Sequence, residues 1–225
     1  MIKTTIKFLL GIFLIAALAV PLFYVGRGYF FGAKTISQLL TENKELKQAI
    51  TSLTAEDQIG YAKVLSQWTE DGNLFTTIRF VETARDNKLE KIIEKEYTVK
   101  GNMVHFDALI VKFSDKMVMD GKAKSLYLWR RIYSEKTAPE DGFTIEQQGG
   151  EPKRYSDLFA KLHIKEKKLF WENIWSLADD NERLKEYGIT AIYGNVIYSR
   201  VKPGLIYVFK ISPSGQVWPE VVPEI

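Results

Sequence analysis

The chain has no cysteine and only two histidines among its 225 residues. The first absence excludes a disulfide framework, a thiolate nucleophile and any cysteine-ligated metal site. The second leaves little material for a histidine metal centre, because His105 and His163 are far apart in sequence. Gly-x-Ser-x-Gly, Walker A and His-Glu-x-x-His are absent too, so no hydrolase, nucleotide-binding or zinc-protease signature is available. Acid is missing from residues 1–34, which hold Lys3, Lys7, Arg27 and Lys34. Removing those four from the 31 basic residues leaves 27 against 28 acidic ones, so the basic pI of about 8.8 reflects the start of the chain alone. Lysine and glutamate interleave through the rest without a basic stripe, and nucleic acid is therefore not an expected partner.

What is present first is an apolar run, Phe8 to Gly26, nineteen residues without a charge. At about 1.5 Å per residue it nearly matches a hydrocarbon layer of about 30 Å. Lys7 and Arg27 are placed to snorkel at its ends, Tyr29, Phe30 and Phe31 to sit among headgroups, and Pro21 to kink the helix. Ala17-Leu18-Ala19 resembles a signal-peptidase site, but the apolar run continues beyond it to Val25, which reads as an uncleaved anchor. A seven-residue tail with two lysines is the usual start of an N-inside anchor and predicts an extracytoplasmic C-terminal domain, periplasmic or on the cell surface.

A heptad stripe follows. Ile36, Leu39, Asn43, Leu46, Ile50 and Leu53 alternate three- and four-residue spacings, the a and d positions of a coiled-coil seam. Asn43 at a is suited to pairing its amide across an interface and setting register. Glu42 at g and Lys47 at the following e are spaced for an interchain ion pair in a parallel assembly. The stripe covers about two and a half heptads, so the competing reading is an amphipathic helix folded against its own domain. Confinement in a bilayer raises effective concentration and favours self-association. Thr54-Ala55-Glu56-Asp57 resembles a capping box, and Tyr61, Val64, Leu65 and Trp68 recur at i, i+3, i+4 and i+7, predicting a second helix stopped by Asp71-Gly72-Asn73.

From Leu74 the pattern turns to short β-branched and aromatic runs between turn residues, which predicts an antiparallel sheet. Strands are expected at Leu74–Thr83, Leu89–Val99, Met103–Phe113 and Ser125–Tyr133, with a Gly101-Asn102 two-residue turn in an initial meander. The fully apolar Ala108–Val111 marks a central strand. Residues 136–154 are a long polar connection, read as a solvated linker in preference to a lid. Helices are expected at Tyr155–Leu162, at Glu166–Ala178 and from Asp179 to a Gly188 cap, with Trp129, Trp171 and Trp175 filling core. Ile189–Tyr193 and Val196–Val201 flank a second Gly-Asn turn at 194–195, before strands at Leu205–Ser212 and Gln216–Val222.

The sequence thus predicts an α+β chain: a cytoplasmic tail over 1–7, a transmembrane helix over 8–26, a helical and coiled-coil stalk over 33–70, and a β-rich globular domain over 72–225 with helices at about 155–187. In outline this layout is similar to envelope assembly proteins with a short cytoplasmic start, one span, a membrane-proximal coiled coil and a small β-rich domain, such as cell-division and cell-wall scaffold subunits. The local echo is Leu40-x-Glu42-Asn43-x-x-Leu46, and the resemblance is one of architecture.

Candidate chemistry is sparse. His105 and Asp107 fall two apart on an expected strand and so share a face, a spacing able to orient a base or hold a metal, although a structural role fits them better. No catalytic residue, metal ligand or cofactor is assigned. The expected function is a single-pass membrane protein of the cell envelope that self-associates and presents its β-rich domain as a scaffold or complex subunit rather than an enzyme. Its expected partners are the bilayer, further copies of itself, and other envelope or membrane proteins. The competing readings are a membrane-tethered enzyme around His105 and Asp107, and a ligand sensor in which the 136–154 connection closes over an aromatic pocket.

Overall fold

The computed structural model describes residues 38–147, 149–155, 167–174, 177 and 180–224. The expected tail and membrane span, Ile36, His163 and Trp175 lie outside them. The chain divides into two units, residues 1–48 and 49–225. In the first, residues 38–48 are helical with Leu39, Asn43 and Leu46 exposed. The helix ends in the second unit at residue 54, where Ile50 is exposed and Leu53 packs against a buried cluster. Among the described residues no helix is long and apolar enough to cross a membrane.

The second unit is α+β, built on two antiparallel sheets. Its strands are β1 (Asp57–Glu70), β2 (Asn73–Thr83), β3 (Lys91–Lys100), β4 (Met103–Phe113), β5 (Leu126–Ser134), β6 (Phe143–Thr144), β7 (Ile189–Arg200), β8 (Leu205–Ile211) and β9 (Val217–Pro223). One sheet runs β3-β2-β1-β8-β9 and the other β6-β5-β4-β7. Residues of both sheets share one buried cluster, with Phe80, Phe106, Trp129 and Phe209 at its centre. Phe80 meets Trp129 edge-on at 5.1 Å, and Phe106 meets Phe209 at 4.7 Å, geometries favoured by the aromatic quadrupole.

Among the described residues the other face of the four-stranded sheet is half covered. Val111, Phe113, Leu126 and Leu128 form a second buried cluster with Phe170, Trp171, Ile174, Leu177 and Leu184. Those last residues belong to, or follow, the short helices Lys167–Asn173 and Asn181–Glu186. Asp180 caps the latter by accepting from the Arg183 N–H, and Gly188 follows it at φ +68°, where a side chain would be strained. With partners on both faces, β4 is buried almost throughout, as its apolar centre predicts.

Four expectations need correction. Tyr61, Val64, Leu65 and Trp68 lie on β1, not on a helix, and of the four only Val64 is buried. Register shifts at Gln58/Gly60 and at Val64/Ser66 break the period-2 alternation, so the apolar spacing imitates a helical one. The supposed helix stop is a hairpin turn: Glu70 pairs with Asn73, and Asp71 and Gly72 both have positive φ, as a type I′ turn requires. Gly101-Asn102 does not close a hairpin, because β3 pairs only with β2 and β4 lies in the other sheet. The chain changes sheets there, and Glu135 accepts from the Met103 N–H at 3.0 Å to hold the crossing.

The second Gly-Asn pair is no turn either. β7 runs unbroken through Gly194 and Asn195, opposite Leu109 and Ala108. A Cβ on Gly194 would lie 2.7 Å from an Arg130 guanidinium nitrogen, so glycine here makes room for a crossing side chain.

Candidate functional site

Two regions of the sandwich combine polar chemistry with accessibility. The first is the half of the four-stranded sheet's outer face that no described helix covers, where β4, β5 and β7 place His105, Asp107, Tyr133, Val196 and Tyr198 side by side through their pairing register. His105 stacks on Tyr133 at 4.8 Å with the rings 2° from parallel, and Tyr198 lies 6.0 Å away on its other flank. Tyr198 is 66% exposed and Val196 37%. His105 and Asp107 do share a face, as their spacing predicts. Asp107 is buried, and its carboxylate accepts from Arg130 Nε at 3.0 Å and from Arg130 Nη2, with Arg131 Nε 3.6 Å from its second oxygen. A register shift between Asp107 and Ala108 makes Arg130 the extra residue of a bulge, which brings two consecutive arginines to one carboxylate. The carboxylate therefore organises arginines, and the imidazole is held between tyrosine rings.

Among the described residues this face ends at β7, an edge strand. The sheets have four edges, and three are blunted in familiar ways. β3 carries Lys91, Glu94, Lys95, Glu96 and Lys100, β9 carries Pro219 and Pro223, and β6 is two residues long. β7 has twelve residues, no proline and no charge before Arg200. Which of its residues turn away from β4 can be read from one bond: the Val201 N–H donates to the Asn102 carbonyl at 2.8 Å. Hydrogen-bonded and non-bonded pairs alternate along an antiparallel ladder. The N–H and C=O of Ser199, Ile197 and Asn195 therefore turn toward β4, and those of Arg200, Tyr198, Val196 and Gly194 turn outward.

The second region is a buried ionic cluster that the sequence reading missed. Glu82, near the end of β2, has no exposure at all. Arg154, from the short 3-10 turn Lys153–Tyr155, sets its Nε 3.0 Å from Glu82 Oε1. It also donates from Nη1 and Nη2 to the Glu146 carboxylate at 2.7 and 2.8 Å and from Nη2 to the Tyr127 carbonyl at 2.9 Å. The end of the long connection is thus pinned to both sheets by one guanidinium. Removal from water, only partly offset by Arg154, pushes the Glu82 carboxyl up to about 7, and the neighbouring Glu146 charge adds to the rise. Tyr127 is raised well above the usual phenol value, mainly by burial.

Beside the cluster lies a cleft of about 400 Å³ lined by Ala84, Arg85, Ile92, Tyr127, Arg154 and Tyr155, with Asp86, Glu90 and Lys153 also on its wall. Two guanidinium groups lie over the Tyr127 ring, Arg85 at 5.1 Å and Arg154 at 4.9 Å. The signal that could have revealed Glu82 is a carboxylate in an otherwise apolar strand end, Phe80-Val81-Glu82-Thr83. Arg154, Glu146 and Arg85 sit in polar loops where nothing local distinguishes them from solvated residues.

No protein-family model, no curated protein and no solved structure matches this chain.

Proposed function

We propose that this is a single-pass membrane-anchored protein of the cell envelope that self-associates through the Ile36–Leu53 seam and uses β7 to dock an extended strand of another envelope protein. The observation that carries the reading is the unblunted β7 edge, with four residues turning backbone donors and acceptors outward beside an exposed aromatic face. Strand addition supplies affinity through those main-chain groups and specificity through alternate side chains. Arg200 carries the one charge of β7 and ends the strand, which suits a segment carrying an acidic residue there. Exposure of Leu39, Leu46 and Ile50 supports the seam, since a monomer gains nothing from an apolar stripe in water. In this reading the protein acts by binding and holds no cofactor.

The test is in-membrane crosslinking of the full-length protein, followed by mild-detergent purification and mass spectrometry, with Val196→Pro alongside. Proline at Val196 deletes an outward N–H and spares the β4 ladder. Foreign subunits crosslinked through β7 are expected to disappear in the variant while self-crosslinks through residues 34–47 persist. Retention of the same foreign subunits by Val196→Pro would remove strand docking.

A second reading, ligand sensing, is favoured by one observation: the aromatic cleft exists, and Lys153, Arg154 and Tyr155 at the end of the 136–154 connection form one of its walls.

A further inference from the structure

We infer that the β7 edge of the resting assembly is paired with β7 of a second copy, antiparallel about Val196, so that two four-stranded sheets join into one. The inference rests on strand docking at β7 and deepens it: a strand of another protein gains the edge by displacing the second copy.

The edge is complementary to itself. The alternation that turns Gly194, Val196, Tyr198 and Arg200 away from β4 turns Ile192 the same way. In an antiparallel pair centred on Val196, that residue faces its own copy, Tyr198 faces Gly194, and Arg200 faces Ile192. Every facing residue is then an outward one, so each N–H meets a carbonyl along the overlap. Gly194, Val196, Tyr198 and Arg200 are all exposed, as such a pairing needs. β7 holds no acid and a single base, and this register sends the two Arg200 side chains to opposite ends of the paired strands.

One contact selects this register over its neighbours. The space above Gly194 is taken by Arg130, whose Nη2 lies 2.7 Å from where a Cβ would stand. The edge of that guanidinium is turned to Asp107, to which Nε donates at 3.0 Å. Tyr198 of the second copy, set opposite Gly194, brings its exposed ring to the plane of the guanidinium, a cation–π contact made twice by symmetry. The ring also covers backbone that a glycine leaves bare in an edge strand. A two-residue slip loses both gains. In one direction Arg200 faces Gly194 and is driven against Arg130, like charge on like. In the other, Tyr198 faces Ile192, which is buried in the cluster with the short helices.

Pairing of this kind is isologous and closes at two copies. It hides both edges at once, which answers how a twelve-residue strand with no charge before Arg200 avoids open-ended stacking. In the proposed assembly the Ile36–Leu53 seam gathers the copies beforehand, so the β7 pair needs little affinity of its own.

The experiment exploits the absence of cysteine, which lets one introduced thiol report the register without background. Val196→Cys, Tyr198→Cys and Thr190→Cys, at three exposed positions of β7, are made in the full-length protein in its own membrane and treated with a short bis-methanethiosulfonate. The pairing brings two Val196 Cα atoms to about 5.5 Å and holds two Tyr198 about 14 Å and two Thr190 about 40 Å apart. Crosslinked dimer is expected for Val196→Cys, in several-fold excess over Tyr198→Cys, with none for Thr190→Cys. Adding Tyr198→Ala to Val196→Cys is expected to lower the yield several-fold, whereas Tyr198→Phe keeps the ring and the yield. Equal yields at the three positions mean collision without register and overturn the inference, as does a yield that Tyr198→Ala leaves unchanged. No dimer from Val196→Cys, with foreign subunits still lost in Val196→Pro, overturns the second copy and leaves strand docking standing. No dimer and no such loss overturn both.

Discussion

Single residues carry the close tolerances of this sandwich. Gly60 sits at the first β1 register shift, and a Cβ built there would be 2.4 Å from the Val81 carbonyl oxygen, a backbone atom unable to swing aside. Gly72, in the I′ turn at φ +75°, has nothing within 4 Å. Gly60→Ala is therefore expected to destabilise by about 1–3 kcal/mol through forced displacement of β2. Gly72→Ala is expected to cost only about 1 kcal/mol, from backbone conformation alone. Urea midpoints of the two variants check the contrast, and equal losses would show that the β1–β2 approach tolerates the extra atom. Gly194 belongs to the same class, since its missing side chain leaves space for Arg130 to reach Asp107. None of these roles has a sequence mark, because glycine reads as a turn wherever it stands beside asparagine or aspartate.

At the scale of elements, strands with an uninterrupted alternation or an apolar centre were legible, and β2, β4, β5, β8 and β9 fall within a residue or two of their expected limits. β1 was not legible because two bulges changed its period, and β7 was divided because Gly194-Asn195 has the composition of a turn. His105 and Asp107 were correctly placed on one face. What lay beyond a sequence reading was the arginine pair that occupies the carboxylate, since a bulge set it there. The helix over residues 38–54 carries its own prediction. If Asn43 pairs across a seam and sets register, Asn43→Ile is expected to change the oligomer size or homogeneity of a fragment beginning at residue 33, as read by light scattering. An unchanged, single species would remove that role.

For the molecule as a whole, pH dependence is the most direct handle on the buried cluster. Glu82 has its carboxyl raised in the folded state from the usual value of about 4.5 to about 7, so the folded protein holds a proton that the unfolded chain releases. Stability therefore falls as pH climbs between those two values and levels off above the higher one, by an amount on the order of 3 kcal/mol. Glu82→Gln is expected to flatten the urea-midpoint profile between pH 5 and pH 8 relative to wild type, and an unaltered slope would mean that Arg154 keeps Glu82 ionised throughout. The strand order has a temporal consequence as well. β1 pairs on one side with β8, so Asp57 must wait for Ile211 before its sheet is complete. Most of the domain has to leave the ribosome before that ladder can close, and until then β1 has a bare flank. Completion of this sheet thus depends on the arrival of β8, far along the chain from β1, rather than on the growth of a nucleus from the amino-terminal strands alone.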